Sequence, residues 1–278
     1  MYTEKSVELK SDFYSRFGEV RGKLHFEKTG LPCKIFDGGE DFMAFSLGCG
    51  VRAYGRDYGD ILRVMDSDSN VCDVHFVKSG KGAQILYKKD VKDISEMSAT
   101  ATYTVNKLLK NMGCNERIAK DDGLEAVCDR YGDGGWCAVK TGGRFGSVPF
   151  PLGGYNVIMI RTRKRKIKAD NEMLDVFYRN ERERMREVCE ELRKCGLDTF
   201  FNAVNESQSA IEKMLNPSSE LMHAVESARN GEGVCAVKIC DVGVIAFVKR
   251  SDTDRAVHSI INECKSRLGY SVRVLVVK

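Results

Sequence analysis

Short runs rich in β-branched and aromatic residues recur along the chain and predict β-strands. Most of these runs are bounded by Gly, Asp or Ser, residues that commonly flank strands. Such runs occupy residues 61–65, 71–77, 84–87, 136–139, 155–160, 234–239, 243–248 and 271–277. The pattern of the chain is therefore rich in short strands.

Between some of these runs, apolar residues recur every three or four positions and predict helices. One such segment covers 98–112, and the clearest begins after the candidate N-cap Asp170 and ends at Gly196. Two more cover 218–229 and 252–268. The C-terminal part then runs helix, strand, strand, helix, strand, which predicts an α+β fold with helices over one sheet face.

The domain organisation is predicted from length and from the density of Gly and Pro. A chain of 278 residues fits one large domain or two of ordinary size. Glycines are dense between 131 and 146, and Pro149 and Pro151 follow closely, as in a connection between elements. We therefore predict two domains, 1–150 and 151–278.

Composition places the chain among folded globular proteins. Hydrophobic residues make up 42% of it and charged residues 30%. No run approaches the roughly 18 apolar residues that a membrane helix needs, and the first ten residues carry four charges. The eleven cysteines are odd in number and form no Cys-x-x-Cys pair. These features predict reduced thiols, no membrane segment and a cytoplasmic protein.

Charge excludes a nucleic-acid binder that works by net charge alone. Lys and Arg exceed Asp and Glu by 44 to 40, a small surplus. One cluster, residues 161–168, concentrates six positive charges in eight residues. A solvated turn between a strand and a helix is the favoured interpretation of this cluster, with polyanion binding as the alternative.

Common catalytic motifs are missing from the sequence. The nearest candidate for a phosphate-binding loop, around Lys140 and Thr141, has Val139 where the loop needs Gly, and hairpin turns explain its glycines. There is no G-x-S-x-G elbow, H-E-x-x-H pair or dinucleotide fingerprint. The four histidines are scattered singly, which argues against a histidine metal site or catalytic triad.

One segment resembles a family of small-molecule kinases. The stretch Asn205-Glu-Ser-Gln-Ser-Ala-Ile211 resembles the N-E-S-H-x-S-L stretch of galactokinases, members of the GHMP kinase family. Other landmarks of that family follow in the same order from about Phe13 to Lys278. The resemblance implies the two-domain α+β GHMP-kinase architecture, with a ribosomal S5-like N-terminal domain and a ferredoxin-like α/β sandwich as the C-terminal domain.

The resemblance assigns a first pair of site residues near the N-terminus. Pro32-Cys-Lys-Ile-Phe-Asp-Gly-Gly-Glu-Asp41 lies where the family has P-G-R-V-N-L-I-G-E-H. By this resemblance Lys34 stands for the Arg that helps neutralise the transferring phosphoryl group, and Glu40 for the Glu that holds a sugar hydroxyl. Lys keeps the charge of Arg but loses its planar fork.

The family's nucleotide loop, G-L-S-S-S-A, corresponds to Asp93-Ile-Ser-Glu-Met-Ser-Ala99. Ser95, Ser98 and Ala99 are the matching residues and inherit a role in cofactor binding. Glu96 places a negative charge where a triphosphate would approach, and no glycine is present, so we expect ATP to bind poorly. An ordinary helix start capped by Ser95 explains these residues about as well.

In galactokinases the catalytic Asp lies in a G-x-M-D-Q helix, seven residues before the glycine that opens a G-K-x-G-H-A-L hairpin. By this resemblance the count back from Gly132 reaches Glu125, with Asp129 as the other candidate. Such a carboxylate would orient or deprotonate the sugar hydroxyl. A solvated helix carboxylate is the favoured alternative for Glu125.

Two further matches lie in the C-terminal half. Tyr178 and Arg182 match the family's Y-N-x-R-R segment, whose Tyr contacts the sugar, although packing on the core is the favoured role for Tyr178. Lys238 replaces an Arg of the second nucleotide region. The family's glycine loop beyond it is reduced to Cys240-Asp-Val242, which predicts a tight hairpin.

The matches and the departures together predict a galactokinase-like protein with weak or no kinase activity that binds a sugar, a nucleotide or a protein partner. The alternative is an active ATP-dependent sugar kinase of altered specificity, which would use ATP with Mg. The expected small-molecule partner is a sugar or a phosphometabolite. A nucleic-acid partner and a membrane are not expected.

Overall fold

The structure is a computed structural model that describes residues 2–18, 22–68, 70–77, 80–91, 96–118, 123–132, 135–162, 170–194 and 196–277. The helices of this part of the chain are α1 (Tyr2–Phe17), α2 (Glu96–Asn111), α3 (Gly123–Tyr131), α4 (Asn171–Arg193), α5 (Asp198–Met214), α6 (Ser219–Arg229) and α7 (Thr253–Leu268). The strands are β1 (His25–Gly38), β2 (Asp41–Asp57), β3 (Ile61–Asp66), β4 (Val71–Phe76), β5 (Ala83–Lys89), β6 (Trp136–Thr141), β7 (Arg144–Pro149), β8 (Tyr155–Arg161), β9 (Val234–Cys240), β10 (Gly243–Lys249) and β11 (Arg273–Val277).

The chain forms two compact units. Unit 1 contains Met1–Leu31 and Gly48–Asp129, and unit 2 contains Pro32–Leu47 and Arg130–Lys278. Each of the two long strands, β1 and β2, contributes residues to both units. The predicted division into domains 1–150 and 151–278 stays a prediction, and the borders of the compact units lie at other positions.

In unit 1 the strands are ordered β4-β3-β5-β2. The β3–β5 pair is parallel, whereas β3–β4 and β2–β5 are antiparallel. Helix α1 covers part of this sheet through Leu9 and Phe13, which form a buried cluster with Met65 and Leu86. The apolar spacing of four along α1 therefore serves to attach the N-terminal helix to its sheet.

In unit 2 the first half of β2 pairs with β6, and β6 and β7 form a hairpin. The hairpin turns at Gly142 and Gly143, both with positive φ, a conformation that glycine adopts without steric cost. A second, fully antiparallel sheet has the order β11-β8-β10-β9. Its core faces α5, α6 and α7 with apolar residues such as Ile158, Val237 and Ala246.

The eight predicted strands are present as β3 to β6 and β8 to β11, and the four predicted helices as α2, α4, α6 and α7. Asp170 caps α4 as predicted, since its Oδ1 accepts a hydrogen bond from the Met173 amide at 2.8 Å. Gly269 ends α7 in the left-handed conformation. The α+β fold class is confirmed.

Elements that the pattern did not predict are α1, α3, α5, β1, β2 and β7. Glycines interrupt the apolar pattern of β1 and β2. One of them, Gly50 of β2, lies where β1 approaches so closely that a Cβ would fall 2.0 Å from the Thr29 carbonyl oxygen and 2.8 Å from the Gly30 Cα. The close approach of two backbones therefore requires glycine at this position.

The Gly50→Ala variant tests this packing. Backbone atoms cannot yield as a flexible side chain would, so we expect the free energy of unfolding to fall by about 3 kcal/mol or more. Gly146→Ala is the matched control, because Gly146 also lies in a strand and has no atom within 4 Å of its added Cβ. Urea unfolding of both variants measures the difference, and equal stability of the two would contradict the packing argument.

Candidate functional site

A pocket of about 390 Å³ lies within unit 2. It is formed by β1, the first turns of α4, the end of α5, the start of α6 and the end of β9. Its lining residues are Lys34, Asp37, Leu174, Phe177, Tyr178, Ile211, Leu215, Leu221, Lys238, Ile239, Cys240 and Asp241. A concave site of this volume is typical of small-molecule pockets.

The interior of this pocket is apolar because three helices turn one hydrophobic face each toward it. In α4 the face comes from residues three and four positions apart, Leu174, Phe177 and Tyr178. In α5 it comes from Ile211 and Leu215, which are four apart. These helices therefore contribute mainly apolar side chains to the pocket, with Tyr178 as their polar residue.

Polar groups lie on the strand side of the pocket. The Lys34 ammonium lies 3.6 Å from the Asp37 carboxylate and above the ring of Phe42, with its nitrogen 5.5 Å from the ring centroid. Asp37 also accepts a hydrogen bond from the Gly39 amide at 3.0 Å. The positive charge of Lys34 is therefore already partly balanced.

The environment of Tyr178 keeps its hydroxyl protonated. Burial raises the pKa of Tyr178, and the nearby carboxylates of Asp37 and Asp175 raise that pKa further. No hydrogen-bond partner for this hydroxyl is found among the described residues. The Tyr178 hydroxyl is therefore a neutral hydrogen-bond donor at ordinary pH.

Helix α4 also fixes the turn between β1 and β2. Arg182 Nη1 donates a hydrogen bond to the Gly38 carbonyl at 2.8 Å. The ring of Tyr178 lies so close to Gly39 that an added Cβ would be 3.3 Å from the ring. The two segments matched to family motifs, around Gly38 and around Tyr178, therefore pack against each other.

One lining residue of the pocket, Lys238, belongs to a buried cluster of ionic and polar groups. Lys238 Nζ lies 2.9 Å from Glu181 Oε2, and Ser207 Oγ donates to the same carboxylate oxygen at 2.8 Å. Lys238 also donates to Ser207 Oγ and lies above the Phe36 ring, 4.7 Å from its centroid. Arg184 Nη1 donates to Glu181 Oε1 at 2.8 Å. Glu181 and Ser207 are fully buried and Lys238 is 4% exposed, so the ammonium is committed to its partners.

Helix α5 completes the hydrogen bonding of the edge strand β9. Asn205 accepts from the Val237 amide at 3.2 Å and donates to the Cys235 carbonyl at 3.0 Å. Gln208 accepts from the Ile239 amide at 2.8 Å. The backbone groups of Cys235, Val237 and Ile239 that point away from β10 are thus hydrogen-bonded to side chains of α5. The segment that resembles N-E-S-H-x-S-L therefore has a structural role: its amides cover a sheet edge and its Ser207 joins the ionic cluster.

The connection between β9 and β10 is a hairpin of minimal length. Cys240 pairs with Gly243, so the turn consists of Asp241 and Val242 alone. Val242 is fully buried, and its amide donates to Asp241 Oδ1 at 3.0 Å. The predicted tight hairpin is confirmed, and the turn itself contains no glycine that could cradle a phosphate.

The predicted site residues fall into two groups. Lys34, Tyr178 and Lys238 line the unit 2 pocket. Glu40 is exposed in the turn after β1 and does not line it. Their catalytic and binding roles stay predictions.

The other predicted site residues belong to unit 1, apart from Ser95, which lies outside the described residues. Ser98 is exposed in the first turn of α2 and accepts a hydrogen bond from Lys89 at 3.2 Å, and Ala99 follows it, half-buried. Glu125 on α3 is 3% exposed and accepts from the Thr100 hydroxyl at 3.3 Å.

The second carboxylate candidate, Asp129, is held by other groups. It accepts hydrogen bonds from Lys107 and from the Tyr103 hydroxyl, each at 3.0 Å. Burial lowers the pKa of Lys107. The hydrogen bonds and negative charges of Asp129 and Glu27 have a larger combined effect, and the pKa of Lys107 is raised. Asp129 is therefore part of an ion pair, whereas Glu125 is nearly enclosed beside a neutral hydroxyl.

Glu181 was not predicted from the sequence, although the apolar stripe of α4 contains a signal for it. The apolar side predicted for α4 includes Phe177 and Met185 and passes over position 181 between them. A carboxylate within an apolar stripe predicts a buried charge that needs a cation, and Lys238 is that cation.

Three further features of the sequence concern the basic cluster, metal ligands and membrane-spanning helices. Of the basic cluster, residues 163–168 lie outside the described residues, so its role stays open. No group of three or more metal-ligating side chains occurs in the part of the chain that the structure describes. Within that same part, no helix has both the length and the low charge needed to cross a membrane.

A double-mutant cycle tests the ionic cluster. Glu181→Gln leaves the ammonium of Lys238 buried without its counter-charge, so we expect a loss of about 3–5 kcal/mol in the free energy of unfolding. The additional change Lys238→Met removes that charge and should restore part of the loss. Urea unfolding of wild type, the two single variants and the double variant gives the coupling energy.

The exposed pair Arg255 and Glu232, 2.7 Å apart and about 60% exposed on each side, is the control for this cycle. Solvent screens that pair, and we expect a coupling energy below about 1 kcal/mol. A coupling for Lys238 and Glu181 no larger than that of the control would refute the proposed importance of burial.

Comparisons with known proteins agree on the architecture. No protein-family model matches the chain, and no curated protein matches it. Among solved structures, galactokinase of Lactococcus lactis, crystallised with galactose, is similar with a TM-score of 0.69 and 13% identity, over 98% of this chain and 97% of that chain. The mevalonate kinase of Methanococcus jannaschii has a TM-score of 0.62 and 12% identity, over 93% and 99%.

Homoserine kinase of Cytophaga hutchinsonii extends the same likeness, with a TM-score of 0.59 and 10% identity over 94% of this chain and 96% of that chain. These kinases share the GHMP fold, and the alignments span nearly the whole of each chain. At such low identity the likeness is one of fold. The chain therefore has the α+β architecture of the GHMP kinases, as its ordered motif matches predicted.

Proposed function

We propose that this protein uses the GHMP-kinase fold to bind a small molecule in the unit 2 pocket, with weak or no transfer of phosphoryl groups. The observation that carries the proposal is the commitment of Lys238. This residue stands where the family has an Arg near the nucleotide, yet its ammonium is buried against Glu181, Ser207 and the Phe36 ring.

Phosphoryl transfer depends on cations placed around the transferring group. For Lys238 to reach a phosphate, it would have to leave Glu181 buried, at a cost of several kcal/mol. Lys34, the other candidate cation, lies 3.6 Å from Asp37. Neither lysine is therefore prepared for a multiply charged anion, which supports binding without efficient catalysis.

The described residues offer few of the groups with which the family holds ATP and Mg, and residues 92–95 of the matched nucleotide loop lie outside them. The described residues contain no cluster of three metal-ligating side chains, so a Mg²⁺ ion would have to be held mainly by the phosphates with one or two carboxylates. The β9–β10 turn has two residues and no glycine, so its backbone offers no cradle. Ser98 is already bonded to Lys89.

The second candidate function is an active ATP-dependent sugar kinase of altered specificity. It is favoured by Glu125, a carboxylate buried on α3 beside the Thr100 hydroxyl, the residue type and helical location expected of a catalytic base. The likeness of fold to galactokinase points the same way. In this case Glu125 would act as base, Lys34 and Lys238 would neutralise phosphate charge, and Glu40 and Tyr178 would contact the sugar.

The ligand that the family resemblance suggests is a sugar or a phosphometabolite. A protein partner is also compatible with a non-catalytic member of this fold. The cytoplasmic location predicted from the cysteines remains a proposal.

Coupled ADP release over a panel of sugars with ATP and Mg²⁺ separates the two functions. We expect the rate of ADP release with any sugar to equal the rate without sugar. Binding without turnover is detected in parallel, as a rise in the unfolding temperature on addition of ligand.

A matched pair of variants makes this experiment decisive. Glu125→Gln keeps the shape of the buried side chain, and Glu232→Gln removes an exposed carboxylate on the surface of unit 2. Sugar-dependent ADP release that is lost in Glu125→Gln and retained in Glu232→Gln would establish the kinase and overturn our proposal.

A further inference from the structure

We infer that the unit 2 pocket takes a compact, largely apolar ligand with one uncharged hydrogen-bonding head group, such as an alcohol, rather than a sugar or a nucleotide. This inference rests on the proposed binding function and names the class of ligand. It is carried by the composition of the pocket wall, the pairing of its charges and the state of the Tyr178 hydroxyl.

The wall of the pocket is too apolar for a sugar. Six apolar side chains line it, Leu174, Phe177, Ile211, Leu215, Leu221 and Ile239. None of them can accept or donate a hydrogen bond. A sugar carries a hydroxyl on nearly every carbon, and each hydroxyl buried against such a wall would lose its hydrogen bonds to water without replacement. A hydrocarbon body has no hydrogen bonds to water to lose, and its transfer from water to an apolar wall contributes favourably to the free energy of binding.

The charges of the wall disfavour an ionic ligand. Lys34 is paired with Asp37, and Lys238 with Glu181. The remaining charged residue of the lining is Asp241 at the hairpin turn. The lining therefore presents no surplus of positive charge, and a carboxylate or phosphate would approach the carboxylates of Asp37 and Asp241. An uncharged ligand avoids this repulsion.

The pocket offers a hydrogen-bond donor, the Tyr178 hydroxyl, to one polar group of a ligand. The Tyr178 hydroxyl is held in its protonated form by burial and by Asp37 and Asp175, which raise its pKa. The hydroxyl has no hydrogen-bond partner among the described residues, and its ring forms part of the apolar wall. One alcohol oxygen could accept from it while the hydrocarbon body lies against Phe177 and Leu221.

The test compares an alcohol and a carboxylate that share one hydrocarbon body with a sugar and a nucleotide. Isothermal titration calorimetry measures the affinity of 4-phenyl-1-butanol, 4-phenylbutyrate, galactose and ATP with Mg²⁺ for the chain of 278 residues. We expect the alcohol to bind at least tenfold more tightly than the carboxylate or galactose. Tyr178→Phe should weaken the alcohol severalfold without lowering the unfolding temperature.

Two variants of adjacent residues on α4 locate the site. Leu174→Glu places a carboxylate in the pocket wall and should weaken the alcohol at least tenfold. Met173→Glu is the matched control, because Met173 is 37% exposed in the same turn and does not line the pocket. Circular dichroism at increasing temperature verifies that both variants are folded.

The inference is overturned if galactose, the carboxylate or the nucleotide binds more tightly than the alcohol, if the alcohol does not bind at millimolar concentration, or if both α4 variants bind it equally. These outcomes differ from failure of the proposed function. Galactose binding without ADP release would refute the ligand class alone, whereas sugar-dependent ADP release would refute the binding function itself.

Discussion

The buried contact between Lys238 and Glu181 is the constraint on which the rest of unit 2 depends. It joins the edge strand β9 to α4, and through Ser207 it also joins both to α5. A charge removed from water is tolerable only when its partners are close and well oriented. The three elements must therefore keep one fixed arrangement, and that arrangement forms the wall of the pocket above them.

The family-like motifs of this chain hold the fold together where they are described. Asn205 and Gln208 satisfy the outer edge of β9. Arg182 and Tyr178 hold the glycine turn after β1. These positions therefore have structural roles of their own, because loss of Asn205, Gln208 or Arg182 would leave polar backbone groups without these partners. The fold likeness at 13% identity is understandable in these terms.

Local signals made most elements predictable from the sequence. Strands bounded by turn residues and helices with a continuous apolar stripe were found, including the Asp170 cap. Helix α5 was not predicted because the buried polar residues Ser207 and Gln208 interrupt its apolar stripe. Of the pocket, Lys34, Tyr178 and Lys238 were predicted through resemblance. The partner of Lys238 was not, because Glu181 is 57 residues away in the sequence and only folding brings them together.

The two-residue turn between β9 and β10 has a kinetic consequence. Asp241 and Val242 close a hairpin whose strands pair up to Cys240 and Gly243, and Val242 is anchored in the interior. Such a turn contains no additional residues and cannot move over the pocket as a flap. If the pocket binds a small molecule as proposed, exchange on this side should follow one-step kinetics, limited by diffusion and desolvation and not by the opening of a gate.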